Sequence, residues 1–131
     1  MSAVLVDSSI WIDFCRYQTF AAPLDSLIKH GCACVCGLVK SEILPFSRKR
    51  EAKLFQSIFE KMRYLSFFES SWDVLIQIQS KIIEAGHNPL SISDAILVVL
   101  CREFDCQLFT KDKDFFRIKD VVGLELYDWK V

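Results

Sequence analysis

The sequence has few of the residues that build linkers, with only four glycines and three prolines among 131 residues. It also lacks the run of about 18 apolar residues that a membrane-spanning helix needs. None of its six cysteines forms a C-x-x-C pair, the usual spacing of a tetrahedral zinc site or a dithiol redox motif. These absences predict one ordered α/β or similar globular domain over residues 1–131, with no membrane span.

Neither sign of charge dominates, because 16 Lys and Arg stand against 17 Asp and Glu. The chain as a whole therefore does not have the basic character of many nucleic-acid-binding proteins. The N-terminal segment MSAVLVDSS has no basic region and carries an acid at position 7, unlike a secretory signal. Cys32, Cys34 and Cys36 alternate along an apparent strand and are predicted to be small buried hydrophobes. We expect a cytoplasmic protein with reduced thiols.

Short apolar segments alternate with patterns of helical period along the chain. Strands are predicted for AVLV (3–6), CACVC (32–36), YLSFF (64–68), QLFT (107–110) and GLELY (123–127). Helical spacing is predicted for residues 9–16, 23–30, 38–46, 48–62, 71–85 and 95–104, with a break at Pro45 and a loop leading into a helical turn at 111–116. This order predicts a three-layer α/β/α sandwich around a parallel five-stranded sheet.

Three acids are predicted to meet at one edge of this sheet. In open α/β sheets, ligands gather outside the carboxyl ends of the strands. Asp7 directly follows the first strand, and Asp112 lies two residues after the fourth. Asp94 opens the helix before that fourth strand and forms an S-x-x-D capping box with Ser91. Acids from distant parts of the sequence can therefore converge.

Glu42 is a fourth candidate because of its helical neighbours. The residues three and four positions away are Leu38, Val39, Pro45 and Phe46, all apolar. An acid within an apolar stripe is costly unless it is paired or binds a cation. Four converging carboxylates would need a hard cation such as Mg²⁺ or Mn²⁺ to remain ionised together.

Each acid also has a simpler structural alternative. Asp7 and Asp94 could cap helices, Glu42 could turn outward into an exposed ion pair, and Asp112 and Asp114 could be ordinary loop acids. The functional prediction rests on their occurring together.

Hydroxyl and basic side chains form a second group of candidates. Ser8, Ser9 and Thr110 flank the acids and could orient a carboxylate or a metal-bound water, although cap and turn roles are equal alternatives. Six basic residues are predicted to hold the phosphates of a polyanion, with a solvated helix face as the alternative: Arg48, Lys49, Arg50, Lys53, Lys111 and Lys113.

Four segments together resemble a known family. VLVDSSIWIDF, SEIL, SDAILVVLC and LFTKDKDF occur in the order and approximate spacing of PIN-domain nucleases, and in particular of the VapC-type toxins of toxin–antitoxin pairs. The resemblance implies metal-dependent endonucleolytic cleavage of RNA and a cognate antitoxin that covers the site. By position, Asp7, Glu42, Asp94 and Asp112 match the family's four acids, and Asp114 is a further candidate. Pro45, so soon after Glu42, departs from the family pattern.

Two other classes of function were weighed against this one. The first is a catalytically inactive PIN-like domain that binds protein or RNA. Three Trp and eleven Phe supply aromatic surface for a homodimer face or an antitoxin groove, with Trp11 and Phe14 as candidates. The second is a phosphatase or phosphoacceptor domain, which fits less well. It would need D-x-D after the first strand or an Asp ending the third, where the chain has Asp7-Ser8-Ser9 and Glu69.

Overall fold

Four parallel strands form the sheet in the computed structural model, which describes residues 2–130. The strands are β1 (Val4–Val6), β2 (Ala33–Cys36), β3 (Arg63–Leu65) and β4 (Gln107–Phe109). Their order is β3-β2-β1-β4, and every neighbouring pair is parallel. The chain extends the sheet from β1 in one direction and later returns to add β4 on the other side. The boundary between β1 and β4 is therefore the switch point at which ligands of such sheets bind.

Helices connect and cover the strands. They are α1 (Ser8–Tyr17), α2 (Ala21–Lys29), α3 (Gly37–Ile43), α4 (Lys49–Glu60), α5 (Ser71–Glu84), α6 (Ile92–Glu103) and α7 (Lys113–Val122), with a 3₁₀ turn at Leu44–Phe46. Every residue of β1 and β2 is buried, so both faces of the sheet are covered. The predicted α/β class with a parallel sheet is confirmed.

The predicted fifth strand is wrong. Within GLELY (123–127), Leu126 forms only an isolated parallel bridge with Leu108. The Leu108 amide donates to the Glu125 carbonyl at 2.9 Å, and the Tyr127 amide donates to the Leu108 carbonyl at 2.9 Å. The pairing with β4 in the described residues is limited to this bridge and its two hydrogen bonds. The sheet therefore has four strands in the described part of the chain.

The segment after β4 is more helical than its sequence suggested. The predicted loop is present at residues 111 and 112, but the helical turn predicted after it is the first part of the ten-residue helix α7. Phe115, Ile118 and Val122 are buried on one face of this helix, at the spacing of an amphipathic pattern. Asp112 is its N-cap and accepts a hydrogen bond from the Asp114 amide at 3.0 Å.

Trp11 is a core residue, and its assignment to a binding surface is wrong. Its side chain is fully buried and meets the rings of Phe55 and Phe59 edge to face, with centroids 6.3 and 5.4 Å apart. Phe14 is half-buried and packs against the same core. The aromatic side chains of α1 therefore serve mainly to pack α4 against the sheet layer.

The loop before α6 is fixed by one glutamine. Gln79 on α5 donates to the Leu90 carbonyl at 2.7 Å and accepts from the Leu90 amide at 3.0 Å. Leu90 immediately precedes the N-cap Ser91, whose hydroxyl accepts from the Asp94 amide at 3.2 Å, as the capping box predicted. The two hydrogen bonds of Gln79, called here the Gln79 clamp, therefore determine where α6 begins and so where Asp94 lies.

Two features expected from composition also hold in the described residues. All six cysteines are free thiols, and Cys32, Cys34 and Cys36 are buried as predicted. Over residues 2–130 no helix combines the length and the apolar character that crossing a bilayer requires.

Candidate metal centre

Asp7 is a buried acid at the switch point of the sheet, with only 7% of its surface exposed. Its amide donates to the Phe109 carbonyl at 2.9 Å, which extends the pairing of β1 with β4 by one residue. Thr110 and Ser9 donate to carboxylate oxygen Oδ2 at 2.9 and 3.1 Å, and Ser8 donates to Oδ1 at 3.4 Å. Three hydroxyls thus hold one carboxylate, and all three, Ser8, Ser9 and Thr110, are candidates from the sequence.

Thr110 connects Asp7 to the acids of the β4–α7 loop. Its hydroxyl oxygen accepts from the Asp112 amide at 3.1 Å while its proton goes to Asp7. Asp112 in turn accepts from the Asp114 amide at 3.0 Å. A single chain of hydrogen bonds therefore sets the positions of all three acids relative to the ends of β1 and β4.

Three acids lie close enough to share a cation. The carboxylates of Asp94, Asp112 and Asp114 each offer an oxygen, and these oxygens lie within 4.8 Å of one another. Burial and, to a smaller extent, the charges of Asp112, Asp7 and Asp114 together raise the pKa of Asp94 to about 6, while a hydrogen bond with Ser91 acts in the opposite direction. Clustered hard oxygen donors whose charges oppose one another fit a divalent cation such as Mg²⁺ or Mn²⁺.

Glu42 interacts electrostatically with Asp7 but does not belong to the cluster of three acids. It is half-buried near the end of α3. Burial raises its pKa, the charge of Asp7 raises it further, and the Ser8 hydroxyl lowers it. The sequence argument from an apolar stripe was wrong in part, since α3 ends at Ile43 and Phe46 beyond it is 84% exposed. Glu42 is adjacent to the acids because α3 follows β2, and not because all its helical neighbours are buried.

The predicted acids therefore form two unequal groups. Asp94 and Asp112 meet with Asp114, which sequence reasoning had ranked below Asp112. Asp7 lies between this trio and Glu42, and acts on the pKa of both Asp94 and Glu42. The D-x-D spacing at the start of α7 was the signal for Asp114, because a helix N-cap brings the residue two positions later back toward it.

The basic candidates differ in their surroundings. Lys111 forms an ion pair with Asp13 on α1. Arg48 lines a cleft that also includes Glu42. The other four, Lys49, Arg50, Lys53 and Lys113, are exposed on α4 and α7. Their contact with RNA phosphates stays a prediction.

Arg117 is a cation at the site that the sequence analysis missed. Its Nη2 lies 3.8 Å from an Asp114 oxygen, and its Nη1 donates to the Asn88 carbonyl at 3.2 Å. It thereby joins α7 to the loop before α6. The three-residue spacing from Asp114 on a helix was the available signal.

The fold and this cluster define a parallel α/β domain with a carboxylate centre at its switch point. The model of the PIN domain family matches residues 4–121. The chain belongs to the PIN domain family, as its four sequence segments indicated. No curated protein is significantly similar to it in sequence.

Solved structures share this fold at low sequence identity. FitAcB from Neisseria gonorrhoeae is 18% identical with a TM-score of 0.77, and the match covers 97% of this chain and 98% of that chain. VapBC from Salmonella typhimurium, solved with DNA, is 12% identical with a TM-score of 0.77 over 98% and 99%. VapBC2 from Rickettsia felis, solved with a promoter DNA fragment, is 14% identical with a TM-score of 0.74 over 96% and 99%. At such low sequence identities, these comparisons establish similarity of fold alone.

The raised pKa of Asp94 gives a prediction for the metal-free protein. Its folded pKa of about 6 exceeds that of an unfolded Asp, so ionisation destabilises the fold as pH rises through that value. In EDTA at about pH 8, Asp94→Asn should raise the free energy of unfolding by about 1 kcal/mol, a figure reduced for solvent screening of a half-exposed group. Near pH 4 the two proteins should be equally stable in urea unfolding.

Asp25→Asn, on an exposed position of α2, is the matched control and should not change stability in a pH-dependent way. A stability gain of Asp94→Asn that is the same at both pH values would contradict the assignment.

Thr110 gives a second prediction. Thr110→Val removes the donor to Asp7 and the acceptor of the Asp112 amide while keeping the side-chain shape. Substitution of a residue that orients a metal ligand typically lowers affinity by about 10- to 100-fold, and we expect a loss of that size for Mn²⁺. Titration of free Mn²⁺ by electron paramagnetic resonance measures it. Thr110→Ser keeps the hydroxyl and should bind like the parent chain; equal loss in both variants would argue against this role.

Proposed function

We propose that this PIN-domain protein is a metal-dependent endoribonuclease that hydrolyses RNA phosphodiesters. The observation that carries the proposal is the meeting of Asp94, Asp112 and Asp114 oxygens within 4.8 Å beside the buried Asp7. Acids this close oppose one another's ionisation, and the donor set is the one that hard divalent cations prefer. Membership of the PIN domain family supports the hydrolase class.

In the proposed mechanism, Asp94 and Asp112 hold Mg²⁺ or Mn²⁺ together with Asp7, and Asp114 and Glu42 contribute directly or through water. The cation, when bound, lowers the pKa of water and neutralises charge that develops on the phosphate. Thr110 keeps the Asp7 carboxylate in one orientation, which supports a fixed ligand geometry. Hydrolysis by water requires no covalent enzyme intermediate.

The proposed RNA contacts come from the positive rim of the site. Once the central acids are neutralised by a cation, the remaining charge of the chain is positive. Arg48, Lys49, Arg50 and Lys53 form a basic cluster at the start of α4, and Lys113 is adjacent to the acids on α7. Lys111 is also a candidate, although RNA would have to compete with its ion pair to Asp13. These cations would position flanking phosphates without reading sequence.

We further propose that the protein is the toxin of a type II toxin–antitoxin pair in the cytoplasm. The solved structures that share its fold include complexes described as VapBC and FitAcB, and their protein partners suggest an antitoxin here.

A homodimer is also proposed. Trp72, Ile76 and Ile83 are exposed on one face of α5, which is the kind of surface that a second copy could cover.

The same apolar face favours a second candidate function, an inactive PIN-like module that only binds protein or RNA. The two functions differ in their need for a cation. A binding module would hold RNA intact, with or without a chelator. The presence of all the acids favours the nuclease.

The nuclease proposal predicts that purified protein, freed of any antitoxin, cleaves RNA in the presence of Mg²⁺ or Mn²⁺ and that EDTA abolishes this cleavage. Asp7→Asn, Asp94→Asn and Asp112→Asn should each lower the rate of RNA cleavage by more than ~100-fold. A loss of ~100-fold is typical of residues that only orient a metal ligand, whereas these three acids are the proposed ligands themselves. Gel analysis of labelled RNA measures cleavage, and circular dichroism checks the fold. Asp25→Asn is the control. Undiminished cleavage by folded Asp7→Asn and Asp94→Asn would sink the proposal.

The toxin proposal predicts that an adjacent reading frame encodes a short DNA-binding protein. That protein, purified and added in equal amount, should inhibit RNA cleavage because it covers the acids. Cleavage measured with and without it tests the pairing. A neighbouring protein of this kind that leaves cleavage unchanged would count against the toxin assignment while leaving the nuclease in place.

A further inference from the structure

A cleft of about 670 Å³ adjoins the carboxylates on the side of Glu42. Its walls come from α1, the 3₁₀ turn and the start of α4. Glu42 lines the cleft, and its charge interacts with that of Asp7, so the cleft adjoins the acids through this one residue. Its volume lies within the range of about 300–1,000 Å³ that is usual for small-ligand sites in proteins.

Phe46 stands at this cleft with 84% of its surface exposed, more than any other large apolar side chain in residues 2–130. Its position is set by the turn that follows α3. Pro45 has no amide proton to continue the helix, and Ser47 closes the turn with a hydroxyl bond to the Ile43 carbonyl at 2.7 Å. One exposed apolar residue is ordinary. An aromatic ring held beside an acid cluster, at the mouth of a cleft, offers a stacking surface.

Two arginines share the cleft with this ring. Arg16 on α1 and Arg48 at the start of α4 both line it, and neither forms an ion pair with any other described residue. Across the cleft, the Cys15 thiol donates to a Glu51 carboxylate oxygen at 2.7 Å and links α1 to α4. The walls are therefore joined before any ligand binds.

We propose that this cleft is a nucleotide subsite in which Phe46 stacks on an unpaired RNA base next to the cleaved phosphodiester. Arg16 and Arg48 hold the phosphates that flank this base. The proposal rests on the proposed endoribonuclease function and adds a substrate contact outside the acid cluster, made by Phe46. A base paired in a duplex keeps its faces stacked on its neighbours, whereas an unpaired base can lie on an aromatic ring.

The first experiment measures binding without cleavage. Full-length protein carrying Asp94→Asn, in EDTA, is titrated with a fluorescein-labelled single-stranded RNA, and anisotropy gives the Kd. Phe46→Ala should weaken binding about 10-fold, in the range of one lost base stack. Phe46→Trp should keep it, and Arg48→Gln should weaken it and reduce its salt dependence. Phe68→Ala, an exposed aromatic outside the cleft, is the control and should bind normally.

Two further readouts separate stacking from a general effect on structure. In active protein, Phe46→Ala should raise KM about 10-fold and leave kcat within about twofold, because the lost contact exists before the reaction. In the Phe46→Trp variant, single-stranded RNA should quench the added indole fluorescence. Duplex RNA of the same sequence should not, and quenching by both would contradict the selectivity.

The outcomes distinguish this proposal from the function on which it rests. If the parent chain cleaves RNA while Phe46→Ala keeps its Kd and KM, the subsite is wrong and the nuclease stands. If Phe46→Ala instead loses only inhibition by the antitoxin, the cleft holds a protein segment and the subsite is again wrong. If RNA is bound in a Phe46-dependent way but not cleaved, the subsite stands and the nuclease proposal fails.

Discussion

The burial of Asp7 at the end of β1 is the constraint on which the rest of the site depends. A carboxylate with 7% exposure must find hydrogen bonds within the protein, and it receives them from Ser8, Ser9 and Thr110. Thr110 belongs to the segment after β4, so satisfying Asp7 also fixes where that segment leaves the sheet. The Thr110 oxygen then accepts from the Asp112 amide, and α7 begins there. One buried charge thereby aligns two strand ends and a helix start.

The site that results is held together by backbone and hydroxyl bonds against the repulsion of its own acids. This repulsion is clearest at Asp94, because burial and the neighbouring carboxylates together raise its pKa to about 6. A bound cation would reduce the repulsion, and the proposed nuclease chemistry uses that same cation. The cleft with Phe46 and two arginines adjoins Glu42, and in our proposal it receives the substrate strand. Glu42 is both one of the candidate carboxylates and one of the residues that line the cleft.

Much of the fold followed from hydrophobic period, and the errors have local causes. Four strands are predicted to within one residue at either end, except that β3 ends three residues before its predicted end, because each is a short β-prone run between helical patterns. GLELY has the same alternation, but only Leu126 forms a bridge with β4. The loop before α7 is predicted correctly, whereas the length of α7 is not, because the charged residues at its start obscure the buried face formed by Phe115, Ile118 and Val122. Trp11 was assigned to the surface by residue type, although its position on α1 points it at Phe55 and Phe59.

The sequence by itself determined the α/β class, the family and which acids follow strand ends, because these depend on local patterns and on their order along the chain. The tertiary structure decided which acids meet. Asp114 joins Asp94 and Asp112 because the N-cap of α7 and the Gln79 clamp on the loop before α6 bring separate segments together. It also decided the surroundings of Glu42, since Pro45 ends the helical path and turns Phe46 outward. Distances between residues far apart in sequence depend on packing, and no local pattern specifies them.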